Sequence, residues 1–125
     1  ANDTYVAYCF HSVESYSKIG KYVGNGNANG PFIFCGFRPA FVLFKKTNAA
    51  RSWPIQDSKR IGYNPANAAL FADLSEAEYA VAAREIDITS NGFKIRTTAA
   101  SHNTSNDNYI FMAFAESPFK HSNAR

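Results

Sequence analysis

Cysteine, tryptophan and methionine are scarce in this chain: its 125 residues include two Cys, one Trp and one Met. Cys9 and Cys35 form no C-x-x-C pair, and two cysteines cannot build a zinc site unaided. Each sits in an apolar, strand-like setting, which favours two small buried, reduced thiols over a disulfide. No apolar run approaches the roughly 20 residues that a membrane-spanning helix needs, so membrane insertion is not expected. The N-terminus lacks a secretory leader pattern, and the chain reads as soluble. An excess of one charge is also missing, with 13 Lys plus Arg against 10 Asp plus Glu. The basic residues fall in pairs, Lys45-Lys46 and Lys59-Arg60, rather than along a stripe, which argues against nucleic acid as a partner.

Motifs for catalysis are missing too. There is no G-x-S-x-G elbow, and His11, His102 and His121 fall in a strand, a loop and the tail. Neither cysteine has the polar setting that makes a thiolate nucleophile. Asp57, Asp73, Glu76, Glu85 and Asp107 could in principle supply paired carboxylates for glycoside hydrolysis. Each has a plainer role as turn, cap or cross-strand partner, so no enzyme, catalytic residue or cofactor is expected. Residues 103–108 are rich in oxygen ligands but lack the order of a calcium loop, so no metal is expected either. Asn2-Asp3-Thr4 and Asn103-Thr104-Ser105 match the glycosylation sequon, as an Asn-rich chain does by chance.

What the chain does have is eleven Phe and seven Tyr, punctuated by Gly and Asn. Aromatic residues suit a pleated, half-buried surface, and this is all-β composition. Residues 18–47 organise the rest. Ile19, Tyr22 and Val23 form a β-prone run, and residues 24–31 are a loop of Gly, Asn and Pro. Phe32-Ile33-Phe34-Cys35 resumes as strand, Gly36-Phe37-Arg38-Pro39 turns, and Phe41-Val42-Leu43-Phe44 is apolar on both faces. The loop glycines are misplaced for a dinucleotide fingerprint and run into a strand rather than a helix, so a plain hairpin loop is favoured.

Tyr5-Val6-Ala7-Tyr8-Cys9-Phe10 also reads as a strand apolar on both faces, and Tyr109-Ile110-Phe111-Met112-Ala113-Phe114 repeats its character. Either this is an echo of one repeat in the next, or two central strands share composition. Pro54 places Trp53-Pro54-Ile55-Gln56-Asp57 at a sheet edge. Residues 58–67 and 99–108 are polar loops, and Ala69-Leu70-Phe71-Ala72 is one more short strand. Ser75 and Glu78 have capping-box spacing, which predicts one short helix over residues 75–84. Asn91-Gly92 predicts a two-residue hairpin turn with Ile88 opposite Ile95 and Asp87 opposite Arg96. Ile86, Ile88, Phe93 and Ile95 then share the buried face. The whole is expected to be one all-β domain, a two-layer antiparallel β-sandwich of jelly-roll-like form, with its core over about residues 5–119 and a tail at 120–125.

Loops that combine Asn and Asp with aromatic rings can contact sugars by stacking and planar hydrogen bonds. Trp53 and Tyr63 are the candidate stacking faces, and Asn64, His102, Asn103 and Asp107 the candidate hydrogen-bonding groups. Ordinary solvated turn chemistry accounts for the same residues and is favoured.

The succession Tyr22-Val23-Gly24-Asn25-Gly26, Gly36-Phe37-Arg38-Pro39, Phe41-Val42-Leu43-Phe44-Lys45, Asp57-Ser58-Lys59-Arg60, Ser90-Asn91-Gly92-Phe93 and Tyr109 to Phe114 resembles a repeat-type β-sandwich domain of bacteriophage tail-fibre and other virion proteins, of marine-phage type. In that family a unit closes with a strand of Tyr-Val-Ala-Trp-Cys-Trp character, to which Tyr5-Val6-Ala7-Tyr8-Cys9-Phe10 is similar. Leu43-Phe44-Lys45 departs from the family's frequent Trp-Ile-Lys. The resemblance implies a non-enzymatic virion module, assembled in the host cytoplasm. Its expected role is in a homotrimeric tail fibre that recognises a host surface polysaccharide. The alternative is a capsid or tail decoration module that binds only other virion proteins.

Overall fold

The fold was determined as a computed structural model that describes residues 2–119. Nine strands run in the order β1 (Ser17–Val23), β2 (Phe32–Phe34), β3 (Pro39–Lys46), β4 (Pro54–Asp57), β5 (Ala68–Phe71), β6 (Tyr79–Ala80), β7 (Ile86–Thr89), β8 (Gly92–Ile95) and β9 (Asn108–Ala115). They make two antiparallel sheets packed as a sandwich, as the composition predicts. The larger has the order β1-β9-β3-β4-β5, with the two-residue β6 added on β5; the smaller is β2-β8-β7. The chain leaves the larger sheet twice, once for β2 and once for β7 and β8, and the long β3 and β9 pair near the centre of the larger sheet.

Period-two alternation decides which side chains fill the space between the layers. The larger sheet contributes Tyr22, Val42, Phe44, Tyr109, Phe111 and Ala113, and the smaller contributes Ile33, Ile86, Ile88, Phe93 and Ile95. Phe93 joins the layers, meeting Phe44 and Phe111 edge-on with ring centroids 5.4 Å from each. Gly20 leaves room for the Phe111 ring, since a Cβ there would lie 2.8 Å from it. Tyr22 and Tyr109, paired across β1 and β9, stack at 4.9 Å.

Several expectations are corrected. Residues 5–10 form no strand and lie exposed as an N-terminal arm. The ladder that their pattern suits is already occupied, because β9 fills the place between β1 and β3. The free edge of β1 is blocked at one end, where Val13 bridges Ser17 and the Ser12 hydroxyl bonds both backbone groups of Ile19. Cys9, carried on the arm, is exposed rather than buried; Cys35 is buried, and both are free thiols. The helix over residues 75–84 is replaced by β6 and a 3-10 turn at Ala82–Arg84. Glu78 is drawn out of its capping role by Arg60, with which it forms a close ion pair, and Tyr79–Ala80 pairs with β5. Strand β4 is interior, not an edge. Pro54 is tolerated because it opens the strand, where a missing donor costs least.

The β7–β8 hairpin keeps its predicted faces but not its register. Ile86 lies opposite Ile95, Asp87 opposite Lys94 and Ile88 opposite Phe93, so the turn residues are Ser90-Asn91. This register differs from the expected one by two positions in total, which preserves parity and keeps all four apolar residues inward. Gly92 does not adopt the left-handed conformation that Gly26, Gly36 and Gly62 adopt. It is required by close approach, since a Cβ there would sit 2.1 Å from the Ile33 carbonyl oxygen. The loop over residues 24–31 is likewise a crossover between layers, not a hairpin. The tail at residues 120–125 and His121 lie outside the described residues.

Candidate functional site

The six candidate residues fall into separate places with different chemistry. His102 and Asn103 are completely buried. His102 Nε2 lies 3.2 Å from Gln56 Oε1, and its Nδ1 lies 2.8 Å from the Ser101 hydroxyl. Gln56 spends its amide N–H groups on the carbonyls of Ala66 and Arg84, so its Oε1 must accept. That assigns the proton of a neutral imidazole to Nε2. Burial, with a smaller contribution from the Arg84 charge, pushes the His102 pKa down to about 3. The ring is a structural base held neutral, and its backbone carbonyl accepts the Tyr22 hydroxyl at 2.8 Å.

Asn103 fastens the glycine loop to the sandwich. Its Oδ1 accepts the Asn25 N–H at 2.8 Å, and its Nδ2 faces Asn25 Oδ1, Asn27 O and Thr97 O at 3.0, 2.7 and 2.9 Å. The loop amides of Gly24, Gly26 and Gly30 are bonded to Asp107 O, Asn103 O and Ile95 O. The amides of Asn27 and Asn29 are turned onto Asn side chains two residues earlier. With these donors committed within the chain, the loop cradles no anion. Gly24 and Gly30 serve contact, since a Cβ would lie 2.2 Å from Thr104 O and 2.5 Å from Ile95 O respectively.

Asp107 is committed as well. Its carboxylate meets Lys46 Nζ at 2.5 Å and accepts Asn48 Nδ2 at 2.6 Å. These bonds, Lys46 first, hold its pKa below the usual carboxylate range. Burial thus takes His102 and Asn103 out of reach of a saccharide, and Asp107 is spent on a bond between β3 and the start of β9.

Tyr63 and Asn64 occupy the loop over residues 58–67. The Asn64 amide imitates a strand, donating to Ile88 O and accepting from Ile88 N, each at 2.9 Å. Ala66 continues that pairing with Ile86, so the loop covers the free edge of β7. The Asn64–Pro65 bond is cis. At the loop's start, Asp57 Oδ1 accepts the amides of Lys59 and Arg60, and Arg60 bridges Asp57 and Glu78. A loop fastened at these points holds out Tyr63, which is 73 % exposed.

Trp53 belongs to neither place. It is half-buried against the outer face of the larger sheet, with Lys45 Nζ 5.7 Å from its ring centroid. There it borders a groove of about 770 Å³ whose walls include Ile19, Leu43, Ile110 and Met112, with Tyr8 and Phe10 of the arm over it. The groove has no sequence signature of its own. It arises from strand register, which aligns Ile19, Met112, Leu43, Ile55 and Leu70 in one row across five strands. Composition had suggested that Phe41-Val42-Leu43-Phe44 is buried on both sides. Val42 and Phe44 are buried, whereas Phe41 and Leu43 are only half-covered.

Among the described residues, no group of three or more His, Cys, Asp and Glu converges as a metal site would. Fold and side-chain placement define a two-sheet β-sandwich domain whose polar loop residues mostly brace the fold. Its exposed contact chemistry is aromatic and apolar. The chain belongs to the family described as a domain of unknown function (DUF7483), which matches residues 1–118. No curated protein and no solved structure matches it.

Proposed function

We propose that this domain is a non-enzymatic structural module of a virion, a homotrimeric tail-fibre domain that contributes to recognition of a host surface polysaccharide. The placement on a virion rests on the resemblance of its strand and turn motifs to repeat-type fibre domains. The observation that carries the recognition reading is Tyr63, an exposed ring held out by a loop that is fastened to β7 through Asn64 and Ala66. A ring carried on a fastened loop requires less backbone ordering when a sugar stacks on it, and a multimeric fibre multiplies a weak contact by avidity.

A second reading, a capsid or tail decoration module that binds only virion proteins, is favoured by the half-covered apolar row on the outer face of the larger sheet. The two readings separate on a panel of host surface polysaccharides, with immunogold labelling of intact particles. Binding to a polysaccharide and labelling at a fibre support the first. Labelling elsewhere on the particle without polysaccharide binding supports the second, and no labelling of particles refutes both.

A further inference from the structure

The N-terminal arm is the least satisfied apolar segment of the described chain. Tyr5 is 83 % exposed, Tyr8 82 % and Phe10 57 %, although such rings are the residues that contribute most when buried. The arm lies beside the outer face of the larger sheet. Phe10 meets Phe114 edge-on with centroids 6.2 Å apart, and Tyr8 borders the groove. Beneath it, the row Ile19, Met112, Leu43, Ile55 and Leu70 is only half-buried. The arm in its own molecule therefore leaves its own rings exposed and the face only partly covered. Contact between Phe10 and Phe114 shows that this face accepts the arm's rings.

We infer that the arm of one copy packs on the outer sheet face of the next, so that residues 5–10 and the groove form the interface of a homo-oligomer. Arm and face belong to the same chain, so every copy presents both halves of the contact, the condition for passing arms from copy to copy around a closed ring. Exchange of an element that already contacts the same face within one molecule needs no new type of surface. Charge fits a second copy. Lys21 and Lys45 flank Ile110 in the register row next to the apolar one, while the arm carries Asp3, which accepts the Tyr5 hydroxyl. This inference rests on the multimeric part of the proposed function and names the surface that would produce it.

The native thiol on the arm supplies the test. Two differently tagged chains are mixed, one with Cys9 intact, the other carrying C9S with Lys21→Cys at the groove, and a short bismaleimide is added. Cys35 is buried, with its pKa pushed up to about 11 by that burial, and competes poorly. A cross-link between the two tags is expected. Sedimentation at about 100 µM should show an oligomer that Tyr8→Ser with Phe10→Ser weakens at least about tenfold, with the far-UV CD spectrum unchanged. An oligomer that survives the double substitution and gives no cross-link between tags overturns the arm interface but leaves a multimeric fibre standing. A monomer at that concentration overturns both. Two copies with the cross-link support the interface and refute the three-fold fibre.

Discussion

Replacing Asn103 by Ala is expected to unfold the molecule more readily rather than to blunt a binding surface. The side chain is fully buried and holds four polar contacts, one through Oδ1 and three through Nδ2. Alanine leaves the buried Thr97 carbonyl without its donor, a loss of about 1–3 kcal/mol. The other three partners lie on a partly exposed loop where water can replace part of each bond, at about 0.5 kcal/mol apiece. The sum is roughly 3 kcal/mol, or about 10 °C in the unfolding midpoint of a domain this size. Urea unfolding followed by far-UV CD reads the change directly. Asn103→Asp separates shape from chemistry. It keeps the acceptor for Asn25 N–H but points a carboxylate at Asn25 Oδ1, Asn27 O and Thr97 O, so it should cost at least as much. An Asn103→Ala loss within about 0.5 kcal/mol, the range of an ordinary surface change, would refute the idea that Asn103 fastens the glycine loop.

Three further outcomes follow from the same structure. The folded-state pKa of His102 is about 3, below the ordinary 6.5, so the unfolded chain binds the extra proton first as pH falls. The stabilisation is complete above pH ~6.5 and is lost progressively toward pH ~3, at up to about 1.4 kcal/mol per pH unit. His102→Gln should flatten that slope between pH ~6.5 and ~4.5; an unchanged slope would place its origin elsewhere. Gly92→Ala should cost about 1–3 kcal/mol or more, because the added Cβ meets Ile33 O; thermal melts that match wild type would contradict that close approach. In the native protein, one thiol, Cys9, should react promptly with an aromatic disulfide reagent, and Cys35 only after denaturant is added; equal rates would show that Cys35 is accessible.

The sandwich was legible because alternation and turn residues act locally. Ile86, Ile88, Phe93 and Ile95 could be assigned to one face from period alone, and any even change of register leaves them there. Register itself was not legible. It depends on Gly92 yielding space to Ile33 of another strand, a contact over more than fifty residues of chain. The helix expected over residues 75–84 failed for a related reason. Ser75 and Glu78 have the right spacing, but Arg60 and β5 offer longer-range partners.

The candidate site divides along the same line. An Asn in a polar loop reads the same in sequence whether it faces solvent or, like Asn103, closes over a crossover loop. Only the proximity of residues 24–30 to residues 97–104 decides it. The glycines hinted at that proximity, since Gly24 and Gly30 stand where two backbones nearly touch. The arm reads as a strand because residue pattern reports what a segment can bury, not whether a ladder is vacant. Tyr63 was within reach of sequence reasoning as an aromatic residue between turn formers. The rigidity of its loop was not, because it depends on the pairing of Asn64 with Ile88.

Titration of host surface polysaccharide against the full chain and its Tyr63→Ala variant tests the recognition claim most directly. Tyr63 makes no part of the core cluster, so the substitution should leave the unfolding midpoint within a degree or two of wild type. Loss of a stacking ring should weaken binding about tenfold or more, amplified where several copies bind together. Equal binding by wild type and Tyr63→Ala, at equal stability, would contradict the assignment of Tyr63, and no binding by either would leave the decoration reading in its place.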